Sequence, residues 1–372
     1  MTTNHGNTPS SSSSSAFTTP SNINLNEWLP HIPIGHPDSM MSAESVRRAT
    51  HEFVTRPTDV FVTTFAKTGT TLVTFVAHLL RMAQQKNNDN KEQIQKDDDV
   101  DPWLDFDCFY DVVPWPLLSW DIGVDPNTAT PAHLPPPRIF KSHLRLASIY
   151  RGARYVVTIR QPAAVGQSFY RYLQAKQVPA VMAMPDVDTF ICDSYFVKGI
   201  PGKRPSVWDY YAEYHAVLDC PAVLILVYED LAWDGDDDDD DDDDTKRTCI
   251  RQLAQFMGLS MDVINDNVID RILQLSSKTA MAALNHKFDE PYARAVRLNR
   301  AADVAQLAPG AKVTSHKGGG NNAILHPRTL AFLQEQWDKH LGPLGYPHYE
   351  ALAQAVRQRN QEWFGTVRKE CA

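Results

Sequence analysis

The segment Phe65-Ala66-Lys67-Thr68-Gly69-Thr70-Thr71 places a lysine, a glycine and three hydroxyls just ahead of an apolar stretch with helical spacing. The first amides of a helix lack intrahelical partners, and the helix dipole is positive there, so such a loop suits a phosphate. Gly69 permits the tight turn, Lys67 adds a point charge, and Thr70 and Thr71 add hydroxyl donors. The loop is not a Walker A motif. GxxxxGK[ST] puts Lys after the second Gly, whereas Lys67 precedes the only Gly here. Taken alone, a Gly–Thr capped helix with an exposed lysine accounts for the segment equally well.

Further along the chain, Lys141 and His143 flank Ser142, so in extended geometry they project on one side. A histidine beside a lysine suits a general base next to an anion-stabilising cation. Arg160 follows an apolar run, and Ser168 lies eight residues on. The guanidinium can fork onto a phosphate with the serine hydroxyl as a second donor. Strand-end arginines more often pair with a carboxylate. Late in the chain, Ser315-His316-Lys317-Gly318-Gly319-Gly320-Asn321 joins cationic groups to a flexible triple glycine that can close over a phosphate.

These residues need elements to hold them. Four short apolar runs read as buried strands: Val60–Thr64, Arg138–Phe140, Tyr155–Ile159 and Val223–Val227. Helical spacing begins near Thr70 and recurs over Pro162–Gln174, Trp208–Leu218, Lys246–Met257 and Thr329–His340. Near-continuous apolar strands alternating with helices predict a three-layer α/β/α fold with a central, mainly parallel sheet. Ligands sit at the carboxyl ends of such strands. Lys67, His143 and Arg160 all fall there.

Composition sets the outer bounds. Of 372 residues, 43% are hydrophobic and 22% charged, as in a soluble globular chain, and no window is apolar enough to span a membrane. The five cysteines are scattered without CxxC spacing, and no HExxH or Cys/His cluster offers a metal site, so the reading is a cytoplasmic protein without a metal. The net charge of −9 comes from nine consecutive aspartates, Asp236 to Asp244. The remainder is near neutral, with no basic stripe for nucleic acid. Residues 1–24, rich in Ser, Thr, Asn and Pro, read as a disordered tail, with no Arg or Lys to suggest a transit peptide. One domain is expected over residues 25–355, with polar surface insertions near 84–101 and 235–245 and a C-terminal tail at 356–372.

In this order and spacing the segments resemble the cytosolic sulfotransferase family, which transfers a sulfuryl group from 3′-phosphoadenosine 5′-phosphosulfate (PAPS) to a hydroxyl or amine. The family's YPKSGTTW loop is matched by FAKTGTTL (Phe65 to Leu72), and its KTH strand end by Lys141-Ser142-His143. Its RNPKDVxVSYY segment is matched by RQPAAVGQSFY (Arg160 to Tyr170), its FYEDM by Val227 to Leu231, and its RKG lid by His316-Lys317-Gly318. The matches span roughly Trp28 to Tyr349.

The resemblance implies roles. Lys67, Thr68, Gly69, Thr70 and Thr71 cradle the 5′-phosphate of the donor; Arg160, Ser168, Lys317 and Gly318 hold its 3′-phosphate; Tyr228 reaches the adenine region. His143 takes the acceptor proton, and Lys67 and Lys141 offset charge on the leaving phosphate. Leu72 stands for the tryptophan that stacks on adenine, and His316 for the lid arginine. Lys278 falls near an aromatic position by the adenine. The family's short C-terminal dimerisation motif has no clear counterpart, which leaves a homodimer open. The acceptor is expected to be a small molecule, with Phe109, Tyr110, Trp115, Trp120 and Phe169 as pocket candidates. The competing readings are a non-catalytic nucleotide-binding protein on the same fold and a nucleotide-dependent kinase. The missing Walker A loop weighs against the kinase.

Overall fold

The computed structural model describes residues 41–85, 101–128, 134–193, 198–199, 205–232, 240–289, 312–313 and 324–370. The expected tail at 1–24, most of the polar stretch at 84–101, and the lid residues His316, Lys317 and Gly318 lie outside the described residues.

Four strands form one sheet: β1 (Val60–Thr63), β2 (Ile139–Ser142), β3 (Arg154–Ile159) and β4 (Val223–Val227). Their order is β2-β1-β3-β4 and every pairing is parallel. The helices longer than two turns are α1 (Ala43–His51), α2 (Thr70–Ala83), α3 (Pro162–Ala175), α4 (Val207–Ala216), α5 (Asp240–Met257), α6 (Asp266–Leu275), α7 (Pro327–His340) and α8 (Tyr349–Glu370).

Alternation along the strands divides the core in two. Val60, Val62, Val156, Leu224 and Leu226 face a cluster with α2, α5 and α6, through residues such as Val76, Leu253 and Ile272. Phe61, Tyr155, Val157, Ile159, Ile225 and Val227 face the other cluster, with α1, α3, α4, α7 and α8. Both faces are covered, which is why these strands are apolar on consecutive residues. This is the expected three-layer α/β/α fold.

Two stretches differ from expectation. The helix of α5 begins at Asp240, so the second half of the aspartate run is helical where a surface loop was expected. Asp243 pairs with Arg247 one turn on. Of the stretch expected to be a tail, 356–372, the residues up to Glu370 belong to α8. Its Leu352, Ala353 and Val356 are buried, and it covers the outer edge of β4. Asn360 Nδ2 donates to the Ile225 carbonyl at 2.9 Å and Arg359 Nη2 to that of Val223 at 2.9 Å. These bonds occupy an edge that would otherwise be open to another strand.

Candidate active site at the carboxyl edge of the sheet

β1 ends in the loop that the sequence singled out. Lys67 has φ 69° and Gly69 φ 109°, both left-handed. For lysine that backbone costs roughly 1–2 kcal/mol, and the Lys67 carbonyl is held by Arg160 Nη1 at 2.8 Å. Gly69 caps α2 without a side-chain bond among the described residues, and the first amides of a helix have no partner within it. A Cβ at Gly69 would come within 2.5 Å of Tyr228 Cδ2. Only glycine lets the Tyr228 ring close on the loop.

The three loop hydroxyls do not share one fate. Thr68 is fully buried, with Oγ1 donating to the Phe65 carbonyl at 2.8 Å and lying 2.8 Å from Thr158 Oγ1. It braces the turn from inside, its amide also donating to the Phe65 carbonyl at 3.4 Å. Thr70 Oγ1 meets Thr64 Oγ1 at 2.5 Å. Thr71 sits part-exposed at the first turn. Leu72, at 9% exposure, belongs to the core under β1. The ammonium of Lys67 rests 4.4 Å from the centroid of the Tyr172 ring.

His143 and Lys141 are brought together as their alternation predicted. Trp115, buried, lies 4.4 Å from Lys141 Nζ and packs edge-on against the His143 ring at 5.4 Å. Lys141 Nζ also donates to Tyr110 Oη at 3.3 Å. His143 Nδ1 is 2.9 Å from the Thr64 carbonyl. A carbonyl only accepts, so Nδ1 carries the proton and Nε2 keeps its lone pair.

Arg160 stands one residue past β3. Its guanidinium stacks over Tyr228 at 4.1 Å, and Nε is buried without a hydrogen-bond partner among the described residues. Ser168 is part-exposed on α3. Arg171, one turn on in α3, has its pKa pushed down by burial and by the charge of Arg160. The set can grip an anion beside the loop.

Sequence reasoning missed the residues that hold this set. Thr64 serves both sides at once, its carbonyl on His143 and its hydroxyl on Thr70. Tyr210 Oη donates to the His143 carbonyl at 2.6 Å. Glu229 receives the Gln161 amide at 2.8 Å and Tyr349 Oη at 2.5 Å, fixing the turn that carries Tyr228. Thr64 and Tyr210 sit in no motif, Glu229 lies inside the FYEDM match but was given no role there, and the partners of all three are distant in the chain. Of the aromatic pocket candidates, Tyr110 and Trp115 stand at Lys141. Phe109 instead packs against Phe75 and Phe288, Phe169 packs near Phe190, and Trp120 lies under Arg48. Among the described residues no group of three or more His, Cys, Asp or Glu could hold a metal ion, and no helix is long and apolar enough to cross a membrane.

A family model of the sulfotransferase domain matches residues 57–294. Sulfotransferase 1C2 of Rattus norvegicus is 25% identical over 228 residues, covering 59% of this chain and 64% of that protein. Sulfotransferase 1C2 of Homo sapiens is 24% identical over 234 residues, covering 60% and 66%. The matched stretch thus spans less than two thirds of the length of these relatives. The crystal structure of mouse sulfotransferase SULT7A1 complexed with PAP superposes with a TM-score of 0.50 at 15% identity, covering 86% of this chain and 95% of that one, a likeness of fold. With the domain match covering more than half of the 372 residues, the chain belongs to the sulfotransferase family.

Proposed function

We propose that the protein transfers a sulfuryl group from PAPS to a hydroxyl or amine of a small-molecule acceptor, with His143 as the base. The observation that carries this reading is the Nδ1 bond of His143 to the Thr64 carbonyl, 2.9 Å. It leaves Nε2 basic beside a buried lysine, one strand away from a backbone-built anion loop.

The residues fit the donor. Arg160 has a buried Nε without a partner among the described residues, which suits it to the 3′-phosphate, and the Gly69–Tyr228 contact closes the loop into a cradle. Lys67, Thr68, Gly69, Thr70 and Thr71 hold the 5′-phosphate, largely through backbone amides. Arg160 and Ser168, with His316, Lys317 and Gly318 from the family's lid, hold the 3′-phosphate, and Tyr228 with Leu72 borders the adenine.

Bound PAPS supplies an activated sulfuryl group whose bond to the phosphate breaks as the acceptor heteroatom takes it. His143 Nε2 accepts the acceptor's proton as that new bond forms, and the imidazolium is steadied by the Thr64 carbonyl. Lys141 and Lys67 stabilise the negative charge that grows on the departing phosphate oxygen. Trp115 and Tyr110 hold the Lys141 ammonium and keep water away from it. Calculated from general acid–base behaviour, the positioned base contributes about 10²–10⁴-fold. The compartment proposed for this chemistry is the cytoplasm, and the proposed domain begins near residue 25 and takes in α8.

The test is incubation with PAPS and a panel of phenols, alcohols and amines, with products read by mass spectrometry. Sulfated product from the wild type, lost by about 10²-fold or more in His143→Ala, is the expected result. Undiminished turnover in the variant would remove His143 as the base, and no product across the panel would count against sulfuryl transfer.

A further inference from the structure

Helix α4 meets the catalytic edge through two adjacent side chains. Tyr210 Oη donates to the His143 carbonyl at 2.6 Å. Tyr211 Oη donates to the Arg160 carbonyl at 2.5 Å and accepts from the Arg160 amide at 2.8 Å. Both rings are buried, at 2% and 0% exposure. The ladders of β2 and β3 stop at Ser142 and Ile159. His143 and Arg160 are therefore the first residues whose backbone groups have left the sheet, and α4 receives them.

The geometry explains why one helix can do both. β2 and β3 flank β1, so their ends lie about 10 Å apart. Neighbouring residues on a helix project about 100° apart, which sends one ring to each strand end. A capping box between Ser206 and Asp209 fixes the start of α4 directly before the pair, with the Ser206 amide donating to Asp209 Oδ2 at 2.6 Å. Farther along α4, Glu213 accepts the amides of Leu146 at 3.1 Å and Ala147 at 2.7 Å. The turn after His143 is thus held from the same helix.

We infer that Tyr210 and Tyr211 are positioning residues with separate duties, Tyr210 setting the base His143 and Tyr211 setting the arginine Arg160 that reads the 3′-phosphate. This rests on the sulfotransfer reading given above. A hydroxyl that closes both backbone groups of one residue fixes the direction in which its side chain leaves the chain. Without Tyr211 Oη, the Arg160 side chain loses that constraint while the loop amides on β1 keep theirs. The His143 ring is pinned from two sides, by Thr64 at Nδ1 and by Tyr210 at its carbonyl, so losing Tyr210 Oη misaims Nε2 and leaves the nucleotide contacts in place.

Tyr210→Phe and Tyr211→Phe keep the rings and remove only the hydroxyls. Calorimetry with adenosine 3′,5′-bisphosphate and with AMP, together with kcat and KM for PAPS, separates the two duties. Tyr211→Phe should weaken the bisphosphate about ten-fold, leave AMP within about two-fold and act mainly on KM. Tyr210→Phe should leave both nucleotides within about two-fold, lower kcat about ten-fold and displace its pH profile. Trp208→Phe serves as the control: on the same helix it packs on Trp337 at 6.1 Å, and it should lower the melting temperature without any such split. Parallel losses of kcat and affinity in both tyrosine variants, tracking the melting temperature as in Trp208→Phe, would overturn the inference while a bisphosphate-binding wild type left the sulfotransfer reading intact. A wild type that bound neither nucleotide would overturn both.

Discussion

Arg138 and Arg160 stand at opposite ends of the same sheet, and their surroundings differ in kind. Arg138, just ahead of β2, is saturated. Its Nε and Nη2 fork onto Asp59 at 2.8 and 2.6 Å, Nη1 donates to the Pro126 carbonyl at 3.0 Å, and Nη2 also reaches the Val54 carbonyl at 3.0 Å. Arg160, just past β3, spends Nη1 on the Lys67 carbonyl, stacks on Tyr228, and leaves a buried Nε unmet among the described residues. The carboxylates follow suit. Asp59 is wholly buried against its arginine, whereas Glu213 at the site edge leans on two amides and a longer 3.5 Å contact with Arg145. The amino edge is closed on itself and serves the fold. The carboxyl edge leaves the Arg160 Nε unmet among the described residues, the feature on which the proposed site rests.

The largest effect that could break this contrast belongs to the amino edge. Arg138→Met strands a buried aspartate, and breaking such a pair costs about 3–5 kcal/mol. Denaturant unfolding should show that loss, and a cost near zero would mean that the amino edge is not the structural end. Arg160→Met should do the reverse. Its stability cost should stay near 1 kcal/mol, while affinity for adenosine 3′,5′-bisphosphate falls about 10–100-fold and that for AMP hardly moves. Equal loss for both nucleotides would mean that Arg160 does not read the 3′-phosphate.

Gly69→Ala comes next. The backbone there has φ 109°, and the new methyl would meet the Tyr228 ring at 2.5 Å. A destabilisation of about 1–3 kcal/mol is expected, with weaker binding of both nucleotides if the loop holds the phosphate they share, as proposed. An unchanged melting curve and unchanged affinity would show that Tyr228 does not close on the loop.

The smallest effect concerns pH. Burial raises the Glu213 pKa, against the pull of Arg145 and of the Ala147 and Leu146 amides. A carboxyl with a raised folded-state pKa contributes stability at low pH that fades as pH rises through that value. Between the ordinary carboxylate range and the raised value, the wild type should therefore lose melting temperature relative to Glu213→Gln as pH increases. A difference that stays flat, or has the opposite slope, would mean that burial does not dominate at Glu213.

The sequence alone separates these two ends only partly, and the physical reasons are specific. The four strands and the start of α2 were legible because burial on both faces forces consecutive apolar residues, and because a helix opening on Lys-Thr-Gly-Thr-Thr needs glycine's conformational freedom. Arg138 and Arg160 both read as arginines at strand ends; what separates them is their partners, Asp59 for one and the Tyr228 ring for the other. Thr64, Tyr210 and Tyr211 left no local signal, since their bonds join residues 79, 67 and 51 positions apart. Helix α8 was hidden for another reason. Part of its buried face is polar, Arg359 and Asn360 bonding to the edge of β4, so its apolar stripe is interrupted.

The central claim, that the carboxyl edge reads a nucleotide carrying a 3′-phosphate, is tested most directly by calorimetric titration of the wild-type protein. Adenosine 3′,5′-bisphosphate, AMP and ATP would be compared with and without Mg²⁺. Clear preference for the bisphosphate in the absence of metal is the result expected from Arg160 and the β1 loop. Preference for ATP with Mg²⁺, or no binding of any of the three, would contradict it.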